Sequence, residues 1–302
     1  MSTFQIKPHT DFAHTNTGAF ADMPFDVYKA ADGINKSGLD TLRDNPRKFK
    51  LQQAGEIVRE STAALEWGTL VHEQILFGQA EYHIRPDTYG DGKKWSGNAN
   101  ECKAWLAAHE DKPVLTTDQA DELRWQADAV LEHEQAAQLL RGGSAELSLF
   151  ARDEDRGFMM KARLDYFAAN LGAPYFLDIK TTLDASTRTL QREILNRRYH
   201  VQFALYRRIL ERLGVAEPTC YIIALEKGDL PRCQVRQISQ AAIDKGNADL
   251  DADLALYWTC RTNDWWPDFA DEERDASGIK AIDLPEYAYG KAEDLIGMSE
   301  GE

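Results

Sequence analysis

Cysteine is scarce: the 302 residues hold four, Cys102, Cys220, Cys233 and Cys260, and no two form a CxxC pair. That spacing argues against a zinc ribbon. A chain of this length buries roughly 75% of its unfolded surface and needs no disulfide staples. Free thiols in a reducing, cytoplasmic setting are the expectation. Long apolar runs are missing too. Nothing approaches the roughly 20 residues of a membrane span, and the opening MSTFQIKPHTDF has no apolar signal core, so no membrane partner is expected. Repeats and low-complexity tracts are also absent. What remains is ordinary for a globular protein, with 43% hydrophobic, 28% charged and 10% aromatic residues and a mean hydropathy of −0.51.

Basic residues are outnumbered, 35 against 50 acidic, for a net charge of −15. Phosphate binding rewards surplus Lys and Arg, so this average argues against nucleic acid. The distribution of the charge argues the other way. Residues 241–302 carry 16 acidic and 5 basic side chains, whereas 188–212 carry seven arginines against Glu193 and Glu211. A basic segment and an acidic tail are hidden inside the mean.

Hydrophobic spacing predicts an extended lead-in over residues 1–35, then a short helix from a Ser37 cap toward Phe49, interrupted at Pro46. A stronger helix opens at Ser61 and ends before Gly78; residues 81–117 read as irregular, and Asp118–Leu140 as a helix. Strands follow over 146–151, 158–167 and 175–181, then a long helix over 194–213, strands over 220–226 and 234–238, and a helix over 240–261. This order predicts one α/β domain with a mixed sheet. The expected divisions are an N-terminal elaboration (1–60), the main domain (61–266) and an acidic tail (267–302).

The informative stretch is KARLDYFAANLGAPYFLDIK, Lys161–Lys180. Asp165 and Asp178 fall in successive strands, 13 residues apart across a Gly-Ala-Pro link. Alternation puts Lys180 on the face of Asp178, about 6.6 Å further along, while Leu177 and Ile179 face apolar packing. Two carboxylates and a lysine on one face are costly to bury unless they hold a cation or an ion pair. Metal-assisted phosphodiester hydrolysis uses this set: carboxylates for Mg²⁺ or Mn²⁺, and a lysine to orient water, stabilise charge or help deprotonate the nucleophile. Two ions about 3.5–4 Å apart would stabilise both attacking and leaving oxygens. The plain alternative is solvent-face charge on a hairpin.

Upstream, WGTLVH places His72 on an otherwise apolar helix, as a ligand or as a core histidine satisfied by a carbonyl. Leu76 breaks an HExxH zinc pattern. Gly68, one turn earlier, would allow a close approach. Downstream, YHVQFALY sets Gln202 and Tyr206 at i and i+4.

In this order, GTLVH, KARLD, LDIKTT and YHVQFALY resemble the PD-(D/E)XK nucleases of the RecE (exonuclease VIII) group. LRDNPRKFK, AELSLF, IIALEK and YWTCRTNDWWPDF extend the likeness from about Tyr28 to Phe269. Where GRPD is common in that group, this chain has KARLD, with Ala162 for the glycine and Leu164 for the proline, a change that removes no ligand. The resemblance implies a restriction-endonuclease-like core, a central mixed sheet flanked by helices with an N-terminal helical elaboration. It implies metal ligation by His72, Asp165, Asp178 and the Ile179 carbonyl, catalysis by Lys180, and positioning by Gln202 and Tyr206. Glu146 is either a second-metal ligand or a strand-edge carboxylate. It further implies a 5′ to 3′ exonuclease on duplex DNA ends in phage-type recombination, a ring-shaped homo-oligomer and a single-strand annealing partner. The alternatives are a single-strand nuclease of the CRISPR-adaptation type and a catalytically silent DNA-binding module of the same fold. The former usually carries an iron–sulfur cluster, which these cysteine spacings do not lead one to expect. Arg188, Arg192, Arg197 and Arg198 are candidate phosphate contacts or ordinary surface arginines.

Overall fold

The computed structural model describes residues 4–13, 16–58, 61–169, 173–228, 231–268 and 283. Among them, seven strands form one mixed sheet: β1 (Ile6–Pro8), β2 (Gly18–Ala21), β3 (Ser144–Asp153), β4 (Phe158–Ala168), β5 (Tyr175–Thr182), β6 (Thr219–Glu226) and β7 (Cys233–Gln237), side by side in that order. Neighbours run antiparallel except β1–β2 and β5–β6. The first residues thus add two strands to the sheet's edge, where an extended lead-in was expected. The acidic tail lies outside the described residues except for Pro267, Asp268 and Asp283.

Helices α1 (Phe25–Ala30), α2 (Lys36–Asp44), α3 (Pro46–Gln53) and α4 (Ala63–Phe77) precede β3, followed by α5 (Asn100–Ala107), α6 (Thr117–Leu131) and α7 (Glu134–Leu139). Helices α8 (Thr187–Asn196) and α9 (Tyr199–Arg212) form the crossover from β5 to parallel β6, and α10 (Gln240–Asn263) closes the domain. One sheet face carries Leu147, Leu149, Phe176 and Ile222 against α2, α3, α9 and α10. The other carries Tyr166, Leu177, Ile179 and Ile223 against α4, α6 and α7. The result is a helix–sheet–helix sandwich, the mixed α/β class that the sequence predicts. Among the described residues no helix is long and apolar enough to cross a membrane.

Local chemistry explains where the segmentation differs from the sequence reading. Asn35, not Ser37, caps α2, accepting the Gly38 N–H at 3.0 Å. Asn45 ends α2 and caps α3 through the Lys48 N–H at 2.7 Å, so Pro46 opens a helix at its N1 position instead of kinking one. Thr62 caps α4, and left-handed Gly78 (φ 73°) ends it. The helix expected over 118–140 breaks between Leu131 and Glu134, and the one over 194–213 is divided by left-handed Arg198 (φ 54°). Residues 81–117 are not irregular throughout: they hold α5 and two short ladders, His83–Ile84 with Val114–Leu115 and Thr88–Tyr89 with Lys93–Lys94.

The close helix approach is at Gly246 of α10, not at Gly68. A Cβ at Gly246 would lie 2.2 Å from the His200 carbonyl oxygen, whereas one at Gly68 meets nothing within 4 Å. Gly246→Ala therefore forces α10 off α9 and costs about 1–3 kcal/mol or more, seen as a lower urea midpoint. Gly68→Ala removes a helix-interior glycine without a clash and raises the midpoint, by up to about 1 kcal/mol.

Candidate active site

Strands β4 and β5 pair only at Tyr166–Leu177, Phe167–Phe176 and Ala168–Tyr175. Beyond that they part. The other end of β4 bonds instead to Ile34, whose N–H donates to the Met159 carbonyl at 2.8 Å and whose carbonyl accepts the Lys161 N–H at 2.9 Å. At the fork the Asp165 carboxylate replaces the missing ladder partner, its Oδ2 accepting the Ile179 N–H at 2.6 Å.

Every sequence-predicted core residue meets at this fork. Asp178 is 1% exposed; its Oδ2 lies 2.6 Å from Lys180 Nζ, and its Oδ1 accepts from Gln202 Nε2 at 2.6 Å. The same Gln202 nitrogen lies 3.0 Å from the Tyr206 hydroxyl. Gln202 and Tyr206 are therefore buried behind Asp178, not the exposed edge of an amphipathic helix. His72 reaches in from α4, with Nε2 2.9 Å from the Ile179 carbonyl and Nδ1 3.6 Å from Asp165 Oδ2. The two readings of His72, ligand and carbonyl-satisfied histidine, thus converge on one contact.

Glu146 joins them by an unusual backbone. It is left-handed, with φ 50°, a conformation L residues rarely adopt. Across it the inward face of β3 changes: Leu147, Leu149 and Ala151 pack on one side of the sheet and Ala145 on the other. Strand β4 changes face at the same level, between Leu164 and Tyr166. The swap brings one ligand atom each of His72, Glu146 and Asp165 within 4.8 Å of one another. Asp178 stands outside that trio, held by Lys180 and Gln202. Arg163, which sequence reasoning passed over, donates to Glu146 and, through Nη1, to the Met23 carbonyl at 2.6 Å.

Burial pushes the Asp165 carboxyl up to about 7; Asp178 and Glu146 add to the rise, and His72 and Lys180 oppose it. Burial alone would lower Lys180, but Asp178 and Asp165 outweigh it and hold the ammonium above its ordinary value. Burial also raises the Tyr206 phenol. A further neighbour is Tyr199: Lys180 Nζ lies 4.9 Å from its ring centre and Lys36 Nζ 5.9 Å. No local signal could place Lys36 here, since its Nζ donates to the Arg197 carbonyl 161 residues away.

The donor set fits a hard divalent ion. An octahedral site with bonds of about 2.1 Å has ligand edges of about 3 Å, and the His72–Ile179 contact matches such an edge. Asp178 Oδ2 is buried and has no aligned hydrogen bond, only the Lys180 ion pair.

Of the four arginines, Arg198 is a correction. Its guanidinium binds Asp40 at 3.0 Å and Asp253, and it is spent on joining α2, α9 and α10. Arg197 is exposed with a loose 3.8 Å pair to Glu193; Arg188 and Arg192 stand exposed on α8 without an ion-pair partner among the described residues.

Comparison with solved structures agrees with this architecture. A crystal structure from Eubacterium rectale described as a "putative exonuclease" superposes with a TM-score of 0.58 at 11% identity, covering 90% of this chain and 99% of that one. At that identity the likeness is one of fold. A structure described as SSO0001 shares 15% identity over 42% of this chain and 59% of its own, with a TM-score of 0.25 that carries no argument. No curated protein matches the chain. Residues 36–274 match the family described as a PDDEXK-like domain of unknown function (DUF3799), and the chain belongs to that family.

Proposed function

We propose that this protein is a metal-dependent nuclease that hydrolyses phosphodiester bonds at DNA ends, acting in the RecE manner on duplex ends from 5′ to 3′. The meeting of His72, Asp165, the Ile179 carbonyl, Asp178 and Lys180 at the fork of the sheet carries this reading. In it, His72, Asp165, Asp178 and the Ile179 carbonyl would hold Mg²⁺ or Mn²⁺, and Glu146 would serve a second ion. Such an ion, when bound, polarises the scissile phosphate and lowers the pKa of a water.

The chain's own groups do the rest. Lys180, whose ammonium form Asp178 and Asp165 favour, donates N–H bonds to charge developing on the phosphate. Gln202, backed by Tyr206, fixes the Asp178 carboxylate. Arg188, Arg192 and Arg197 meet phosphates further along the strand. A ring of copies around DNA, and transfer of the product strand to a single-strand annealing protein, extend the same resemblance.

On end-labelled duplex DNA the expected result is Mg²⁺-dependent loss of the 5′-labelled strand, stopped by EDTA and slowed about 10²–10³-fold in Lys180→Ala. Cleavage confined to single strands would redirect the reading to a single-strand nuclease. DNA binding without cleavage in any divalent ion would leave a binding module.

Metal binding must displace the Asp165 proton. Calorimetric affinity for Mn²⁺ therefore rises by up to about tenfold per pH unit below pH 7 and flattens above it. An affinity independent of pH between 5.5 and 8 would remove Asp165 from the ligand set. Sedimentation velocity tests the ring: an oligomer is expected, and a monomer at micromolar concentration would exclude it.

A further inference from the structure

A cleft of about 1180 Å³ adjoins the proposed site through Gln202, Tyr206 and Arg163, lined by α1, α2, α3, α4, β4 and the Gln202–Tyr206 face of α9. This exceeds the about 300–1,000 Å³ that suits a small ligand. Its charge opposes that of the chain. The lining carries Lys29, Lys36, Lys161 and Arg163 but only one acid, Asp32, in a protein of net charge −15.

Two of those cations fasten α1 to the sheet. Lys161 Nζ donates to the Tyr28 and Lys29 carbonyls at 3.1 Å each and to Ala31 at 2.5 Å, and Arg163 holds the Met23 carbonyl at the other end. On this anchored helix Phe25 is 63% exposed. Its ring stacks on Tyr28, with centroids 6.3 Å apart at 25°, and the Arg163 guanidinium lies 5.7 Å from its centre. Arg163 in turn pairs with Glu146 of the site. A rigid aromatic ring kept in water at the mouth of a basic cleft suits a nucleobase, since every base offers a π face.

We infer that Phe25 is a stacking platform for an unpaired base of the DNA strand entering the cleft, with Lys29 meeting the adjoining phosphate. This deepens the nuclease reading and rests on it for where the strand leads. A single strand is the occupant because the face of a paired, stacked base is closed to the ring.

The test is equilibrium binding, in EDTA, of a single-stranded oligodeoxynucleotide containing 2-aminopurine, whose fluorescence is quenched by stacking. Wild type binds and quenches. Phe25→Leu weakens binding about tenfold and loses the quench, while Phe25→Trp keeps both. Lys29→Ala lowers the slope of log affinity against log salt by about 0.7. Because Phe25 lies on the surface, the melting temperature of Phe25→Leu stays at the wild-type value, which separates lost stacking from misfolding. Binding and quenching unchanged in Phe25→Leu, or no strand binding by wild type, overturns the inference. A Phe25-dependent quench in a wild type that never cleaves DNA removes the nuclease reading alone. Cleavage with a quench indifferent to Phe25 removes the platform alone.

Discussion

The parting of β4 from β5 beyond the Tyr166–Leu177 pair governs the rest of the site. A sheet that opens leaves backbone N–H and C=O groups without ladder partners, and buried groups of that kind must be satisfied. Asp165 satisfies the Ile179 N–H, and His72 meets the Ile179 carbonyl. The groups that repair the fork are the same groups that the proposed chemistry uses. Two charges are compensated within the cluster, Asp178 by Lys180 and Glu146 by Arg163. Asp165 has no Lys or Arg paired with it among the described residues, and burial raises its carboxyl to about 7. A proton answers that deficit, and on the proposed reading a divalent ion would answer it too.

Glu146 supplies the second constraint. A non-glycine residue held at positive φ costs of order 1–3 kcal/mol and persists only where its surroundings over-determine it. Here Leu147, Leu149 and Ala151 are committed to one core and Ala145 to the other, so the face change has to fall between them. The strained residue is the one that carries the carboxylate into the fork, and Arg163 holds it there. Strain, strand geometry and candidate ligand coincide at one position.

Much of this was legible in the sequence, and for identifiable reasons. Period-two alternation put Asp178 and Lys180 on one face and Leu177 and Ile179 on the other, and β5 keeps that alternation where β3 and β4 break it. Gln202 and Tyr206, one helical turn apart, pointed to one stripe, and in the structure that stripe faces Asp178. The ordered motifs then pointed to the fold now shown by the family match. What stayed hidden was set by tertiary contacts. Strict alternation cannot foresee a face change at Glu146. Nothing local distinguishes Arg198, half-buried in a double ion pair, from the exposed Arg188 and Arg192. Lys36 reaches the site only through packing of α2, and Arg163 meets Glu146 only across the β3–β4 pairing. Gly246 looks like an error inside a helix until the His200 carbonyl is seen against it.

The acidic average also resolves at this level. At physiological salt a charge is felt over about 8 Å, so the acidic side chains elsewhere on the surface barely alter the potential inside the cleft. What a phosphate meets there is set by nearby groups, and these are mainly cationic. Lys36 pairs with Asp40 and Arg163 with Glu146, but Lys161 is bound by neutral carbonyls, which orient its charge without cancelling it. The low-dielectric walls then focus that field along the cleft, while the acidic remainder disfavours contact with DNA elsewhere. On the nuclease reading, a net charge that first argues against a nucleic-acid ligand becomes a reason for the strand to bind in one place.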